Sequence, residues 1–447
     1  MELTNKKILV LGLSKSGISA AKILNKKGAK VYITENSQPK PEFVPVISEL
    51  KSLGINIETG GHSQEFINNA DLAVTSPGIP PNSEIFTNLL KSGVEIISEI
   101  ELAWRLTNGN FALITGTNGK TTTTALTAHI VKSEFSAEAC GNIGLPPCDL
   151  IENNLDWYII EASSFQLETS NTFKPKIAVF TNFTPDHISW HGNLDNYFKA
   201  KWKIFEGKQG ADFAVLNAKD KKLKEFSSKA FGKVFFFDGD IGDNCAFIKE
   251  NKIIYRENGN EETIISLDES PLIGQHNYQN IMCAIIVSKL IGVSTKNIKK
   301  QIMSFKAPEH RLEWCGNNGK TDFYNDSKAT NPEAAVVAIN SFNNCNVALI
   351  AGGRDKNTDL TDFCKSVNEH IKTVILIGEA ADRFENNLLN NGFSNIIREE
   401  TFENAIDKAI ELKPDAVLLS PACASFDMFS GYEERGTVFK NYVRSRI

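Results

Sequence analysis

The run Thr115-Gly116-Thr117-Asn118-Gly119-Lys120-Thr121 carries the residue types that hold phosphate. Apolar residues Phe111 to Ile114 precede it and predict a short buried strand, while Thr122 to Val131 predict a helix. A strand, a glycine turn and a helix N-terminus aim backbone N–H groups and the positive end of the helix dipole at an anion. In that setting Lys120 reaches the outer phosphates of a nucleotide and the Thr121 hydroxyl meets a magnesium ion. The general pattern wants a glycine five residues before Gly119, and Ile114 stands there. An ordinary strand-to-helix turn is therefore the competing reading of this stretch taken alone.

Two more groups fall near the same chemistry. Trp157 to Glu161 predicts a buried strand that ends in a carboxylate. An acid at a strand's end, one or two strands from a phosphate loop, is where a second magnesium ligand belongs, which makes Glu161 a candidate. Ile177 to Thr181 predicts the next strand, and its loop Asn182 to His187 comes to the same sheet edge. His187 is thus a candidate for metal or substrate contact, against the alternative of an ordinary core or surface histidine. Tyr197 to Phe205 predicts an amphipathic helix with lysines at 199, 201 and 203. Such lysines usually form a solvated face, and nothing local singles one out.

The elements that must position these groups alternate between strand and helix patterns, which predicts α/β architecture with mostly parallel sheets. A chain of 447 residues is too long for one core and predicts about three domains. Residues 6–13 predict a first strand, Ile18 to Lys27 a helix and Val31 to Thr34 a second strand, as in the opening of a Rossmann unit. The dinucleotide fingerprint is absent, since Ser14 takes the second glycine position between Gly12 and Gly17. That turn either holds a phosphate-bearing ligand or simply packs. Ala70 to Thr75 predicts a strand that runs into Ser76-Pro77-Gly78, small residues suited to a ligand-facing edge. Domain boundaries are expected near 98 and near Ala307-Pro308, giving 1–98, 99–307 and 308–447. The last part predicts a second Rossmann-like sheet from 347–351, 374–377 and 416–419.

Composition narrows the function. Lys and Arg total 48 against 54 Asp and Glu, a net charge of -6, so charge alone does not make a nucleic-acid binder. Eight cysteines occur without a C-x-x-C pair, which removes zinc-ribbon and redox signatures and predicts free thiols in a reducing cytoplasm. The apolar run Ile8 to Leu13 is too short for a signal peptide or a membrane span, so a soluble cytoplasmic chain without membrane insertion is expected.

Taken in order, GTNGKT, EASSFQL, TNFTPDH, GQHNYQN, HRLE, NDSKATNP, GGRDK and SPACASFD resemble the Mur ligase family over essentially the whole chain. SPGIP, NDSKATNP, GGRDK and SPACASFD resemble its D-glutamate-adding branch. The resemblance implies an N-terminal Rossmann-like domain for a UDP-sugar, a central P-loop ATPase-type domain, and a Rossmann-like domain for the amino acid. It implies ATP-dependent amide formation in peptidoglycan precursor synthesis. The carboxylate of UDP-N-acetylmuramoyl-L-alanine takes the γ-phosphate, and the amine of D-glutamate attacks the acyl phosphate.

Carried over by resemblance, Gly116, Thr117, Asn118, Gly119, Lys120, Thr121 and Thr122 hold ATP phosphates, joined by Asn277, Asn280, Arg311 and Asp326. Thr121, Glu161, His187 and a carbamylated Lys201 hold magnesium, with two ions expected. Lys120, His187, Lys201 and Lys328 are the implied catalytic residues. Ser14, Thr34, Ser76, Gly78 and Asn142 fall at the UDP-sugar end. Lys328, Thr330, Lys356, Ser425 and Tyr432 fall in the D-glutamate pocket, where two lysines suit two carboxylates. The family often carries an acid and an arginine at the second-strand uridine site, where this chain has Thr34-Glu35. Ser189-Trp190 stands where Asp-Arg is frequent. A monomer acting on small molecules, with domain closure assembling the site, is expected.

Overall fold

The computed structural model describes residues 1–447 except 40, 207–209, 273, 307–308, 343–344 and 356. The chain forms two compact units, one of Met1–Ser270 with Gln279–Phe305 and one of Pro271–Tyr278 with Lys306–Ile447. The expected boundary at 307/308 lies outside the described residues, as does Lys356.

The first unit holds two sheets. One has five parallel strands in the order Asn56–Thr59, Lys30–Glu35, Lys7–Leu11, Leu72–Thr75, Ile96–Ser98. Its inner strands are continuous apolar runs because helices cover both faces: Leu9, Val10 and Leu11 are wholly buried. Strand order reverses beside Lys7–Leu11, and a ligand crevice opens at such a switch point. Ser14 caps the helix Lys15–Lys26 there, its hydroxyl accepting from the Gly17 N–H.

The second sheet has nine strands. Ala137–Gly141, Trp157–Glu161, Asn110–Thr115, Ile177–Phe180, Phe213–Asn217 and Lys233–Phe237 lie in that order and run parallel. Cys245–Lys249, Lys252–Glu257 and Asn260–Ser266 extend it as a meander. The central strand Asn110–Thr115 is its switch point. Leu113, Ile114, Ile159, Ile160 and Val179 are fully buried in this sheet, each contributing about 1.5–3 kcal/mol. The two sheets are bridged by the helix Glu99–Leu106, capped by Ser98. Glu101 there is wholly buried and accepts from Arg105 and from the Thr172 N–H at 3.0 Å. Glu99 is also buried: its Oε1 accepts the Cys148 N–H at 2.7 Å, and its Oε2 has no partner.

The second unit holds a six-stranded sheet in the order Glu313–Asn317, Asp322–Asn325, Ala416–Leu419, Val347–Gly352, Thr373–Ile377, Ile396–Arg398. Only the first pair is antiparallel. The sheet thus contains the three predicted strands and adds three that sequence pattern left unread. Among the described residues, no helix is long and apolar enough to cross a membrane.

Candidate active site

The phosphate loop joins Asn110–Thr115 to the helix Lys120–Val131, with Gly119 at its N-cap in the left-handed region. Gly116 stands at φ +144° with its α-carbon against Thr181, and a Cβ there would run into the Thr181 hydroxyl and N–H. The close approach that the loop needs from a glycine therefore falls at 116, which is why Ile114 can serve as a buried strand residue. Asn182 then fixes the turn. Its Oδ1 accepts the Asn118 N–H at 2.9 Å, its Nδ2 donates to the Asn118 carbonyl at 3.1 Å, and its carbonyl accepts the Thr117 N–H. Thr181 adds a hydroxyl donated to the Asn118 carbonyl at 2.6 Å. Lys120 curls over the loop, donating to the carbonyls of Gly116 and Thr117 at 2.9 and 2.8 Å. Thr121 and Thr122 open the helix, and Thr123 donates to Asn280 Oδ1 at 3.0 Å, bringing Asn280 to the cradle. Asn277 lies one turn earlier on the same helix, Gln275–Ile291, and is buried.

Lys201 is the one lysine of its helix, Leu194–Trp202, that turns inward, with 2% of its surface exposed. Its Nζ donates to the Gly116 carbonyl at 2.8 Å and to Thr115 Oγ1 at 3.4 Å. Burial pushes its pKa well down, and the neighbouring Lys120 charge pushes the same way. The Tyr197 ring lies 5.0 Å from Nζ, and burial raises that phenol to about 12. Periodicity could not select Lys201 over Lys199 and Lys203, because its burial comes from packing under the loop.

Glu161 ends its strand at 2% exposure. Its Oε1 accepts from Asn142 Nδ2 at 2.8 Å, while its Oε2 is buried without a partner. Asn142, expected at the sugar end, is thus tied to the acid beside the phosphate loop. His187 stands at φ +52° with its ring 4.8 Å from Phe165 and its Nε2 3.3 Å from Asp186 Oδ2. Desolvation lowers its pKa, partly opposed by Asp186. His191 lies deeper, sharing a hydrogen with the Ser164 hydroxyl at 2.9 Å, and burial lowers it to about 4.

A magnesium ion fits a thin protein donor set here. Among the described residues no group of three His, Cys, Asp or Glu could hold a metal alone. One partnerless buried carboxylate oxygen beside a phosphate cradle matches magnesium's habit of taking one or two protein oxygens and completing its shell with substrate phosphates and water.

At the switch point of the first sheet, the Ser14 hydroxyl donates to the Ser76 hydroxyl at 2.8 Å. A cavity of about 430 Å³ opens there, lined by Ser14, Glu35, Ser76 and Gly78 among others. Thr34 is wholly buried, its hydroxyl 2.6 Å from Glu58 Oε1 and 2.7 Å from His62 Nδ1. Glu35 lines the cavity in its place and accepts the Leu13 N–H at 2.9 Å. A cleft of about 530 Å³ lies at the opposite, amino ends of the central strands and holds none of the candidate residues.

In the second unit the described candidates Asp326, Lys328, Thr330 and Ser425 follow the carboxyl ends of strands. Lys328 Nζ sits 3.7 Å from the centre of the Tyr432 ring. Thr330 follows in the same loop, its N–H donating to the Lys328 carbonyl at 2.8 Å. Ser425 is buried within the loop that follows Ala416–Leu419. Asp326 Oδ2 accepts from Ser420 at 2.7 Å, and Oδ1 accepts the Leu312 N–H at 3.2 Å. Burial raises Asp326 to about 7, against the pull of those hydrogen bonds and of Arg311. Pattern reading did not single out Tyr197 or Asn182, and it noted Glu35 only as a departure beside Thr34. Asn182 had a sequence signal, its place at the end of a strand next to the phosphate loop.

Three family descriptions match the chain: "Mur ligase MurD-like, N-terminal domain" at 6–98, "Mur ligase middle domain" at 114–288 and "Mur ligase, glutamate ligase domain" at 310–423. Among curated proteins, the UDP-N-acetylmuramoylalanine–D-glutamate ligase of Acidobacterium capsulatum is 40% identical over 99% of this chain and 97% of its own. Its namesake from Clostridioides difficile is 37% identical over 100% of both chains. Solved structures share the fold. MurF from Acinetobacter baumannii has a TM-score of 0.60 at 16% identity, covering 97% of this chain and 91% of its own. MurC from Thermotoga maritima has 0.58 at 19%, covering 99% and 100%.

Proposed function

The chain belongs to the Mur ligase family, and on that premise we propose that it joins D-glutamate to UDP-N-acetylmuramoyl-L-alanine with ATP, releasing ADP and phosphate. The observation that carries the reading is the grouping of Lys120, buried Lys201 and the partnerless Glu161 oxygen around one phosphate loop.

A carboxylate is a poor acylating agent, and phosphorylation gives it a leaving group. Transfer of the γ-phosphoryl group depends on position and charge neutralisation more than on covalent help from the protein. The 116–122 backbone and Lys120 hold the phosphates, Asn277, Asn280 and Arg311 hold the nucleotide, and Asp326 accepts from a ribose hydroxyl. Glu161, Thr121 and His187 hold magnesium, which supplies charge neutralisation on the transferring phosphoryl group. Two ions are proposed. Burial favours the uncharged amine of Lys201, which is the form that adds carbon dioxide. The amine nitrogen bonds to the carbon, one C=O π bond opens and a proton leaves to water, giving a carbamate whose single negative charge is shared by two oxygens. Ser14, Ser76 and Gly78 hold the UDP-sugar, with Thr34 supporting that end from beneath and Asn142 facing it from Glu161. Lys328, Thr330, Lys356, Ser425 and Tyr432 take D-glutamate, Lys328 steering the amine toward the acyl carbon. The parts are taken as 1–98, 99–307 and 308–447, in a monomer working in the cytoplasm, where ATP and UDP-sugars are available.

The test is phosphate release from ATP with UDP-N-acetylmuramoyl-L-alanine and one amino acid at a time. Release with D-glutamate, and not with L-glutamate, L-alanine or a diamino acid, is expected. Preference for any of the others would refute the assignment.

A further inference from the structure

Arg435 is wholly buried, yet among the described residues it meets no carboxylate at hydrogen-bond distance. Its Nε donates to the Ser327 hydroxyl at 2.9 Å, and its Nη2 donates to the carbonyls of Ser327 and Cys423 at 2.8 and 3.1 Å. Nη1 reaches the Ala424 carbonyl at 3.5 Å. Every one of these acceptors is neutral. Asp326 and Asp427 act on it only from a distance, and burial pulls its pKa down to about 10.

The position is costly in two ways. A guanidinium removed from water without an ion pair loses solvation that hydrogen bonds to neutral acceptors must offset. It also sits in the first turn of the helix Tyr432–Arg444, where the helix dipole disfavours positive charge. On helix-dipole grounds another residue would suit the position better.

What the guanidinium reaches gives it a use. Ser327 and Cys423–Ala424 each lie next to a candidate amino-acid contact, Lys328 on one side and Ser425 on the other. The Ser327 hydroxyl also donates to the Tyr432 carbonyl at 2.8 Å, so the third contact is tied to the same hub. A third strand end joins them, because the Arg354 N–H donates to the Ala424 carbonyl at 2.9 Å. We infer that Arg435 is the positioning residue of the amino-acid pocket: its forked hydrogen bonds fix the loops bearing Lys328, Ser425 and Tyr432. Its charge, held on neutral hydrogen-bond acceptors, stands behind them for the carboxylates of an acidic amino acid. This rests on the D-glutamate reading above.

The experiment is full three-substrate kinetics on the intact enzyme and on Arg435→Gln, Arg435→Lys and Ser327→Ala, with thermal unfolding to verify that each is folded. Arg435→Gln should raise KM for D-glutamate about tenfold to a hundredfold, as a displaced pocket does. KM for ATP and for the UDP-sugar should stay within about twofold. Arg435→Lys keeps the charge and loses the fork, so its rise should be smaller. A folded Arg435→Gln with unchanged KM for D-glutamate would overturn the inference, and so would a parallel rise in all three KM values. If Arg435→Gln does not fold, unchanged D-glutamate KM in both Arg435→Lys and Ser327→Ala would overturn it equally. Wild-type turnover that prefers a different amino acid would sink the D-glutamate reading alone, and Arg435 would then be judged on that amino acid's KM.

Discussion

Replacing Glu99 by Gln should stabilise the protein above neutral pH and do little in acid. Glu99 is buried where the first two sheets are bridged, with one carboxylate oxygen bonded to the Cys148 N–H and the other unpartnered. Burial raises its pKa from 4.5 to about 7, against the smaller pull of that hydrogen bond. Below pH 4.5 the carboxyl is protonated whether the chain is folded or not. Between there and about 7 the unfolded chain releases the proton while the folded chain keeps it, so the folded state loses relative stability as pH rises. Above about 7 both are ionised and the loss is complete. At about 1.4 kcal/mol per pH unit, the full loss is about 3 kcal/mol. A glutamine keeps an acceptor for the Cys148 N–H and cannot ionise. For a unit of roughly 300 residues, 3 kcal/mol corresponds to a Tm shift of about 5 °C. Thermal unfolding of both proteins from pH 5 to pH 8 measures it: the variant's Tm advantage should grow through that range. A constant difference across it, or a variant less stable at pH 8, would refute the burial argument.

Three further outcomes are expected. Lys120→Ala should lower ATP turnover by at least about a hundredfold, because it removes the cation that spans the carbonyls of Gly116 and Thr117 in the loop, and retained activity in a phosphate-release assay would remove its role. Lys201→Ala should be inactive and partly restored by added formate or acetate; full activity without them would take the carbamate out of the scheme. Asp326, raised to about 7 by burial, should accept a ribose hydroxyl more strongly when ionised, so KM for ATP should rise as pH falls from 8 to 6 and should not do so in Asp326→Asn. A flat wild-type profile would sink that role.

The strands that carry chemistry were legible because parallel strands covered on both faces must be continuous apolar runs: 111–114, 157–161 and 177–181 all announced themselves. Edge and meander strands did not. Asn260–Ser266 is mostly exposed and polar, and Glu313–Asn317 pairs on one side only, so neither needs an apolar pattern. Glu161 was legible because its place follows from strand order. Lys201 was not, since three lysines at alternate positions look alike until one packs beneath a loop contributed by residues 85 positions away. Arg435 was hidden for the same reason. An arginine in a helix's first turn reads as a surface charge, and only the fold of two distant loops over it takes it out of water.

The amide of Asn182 holds Asn118 by both its N–H and its carbonyl, across 64 residues of sequence. The cradle is therefore a late product of folding. A peptide spanning the loop and its helix would carry every residue of the motif and none of its shape, because the partner arrives only when the strand Ile177–Phe180 docks beside Asn110–Thr115. Contacts of such long sequence separation form slowly, after the entropy of closing the intervening chain has been met. A growing chain released before about residue 182 would thus own a nucleotide motif and no nucleotide site, and binding of ATP would report that the central sheet has closed.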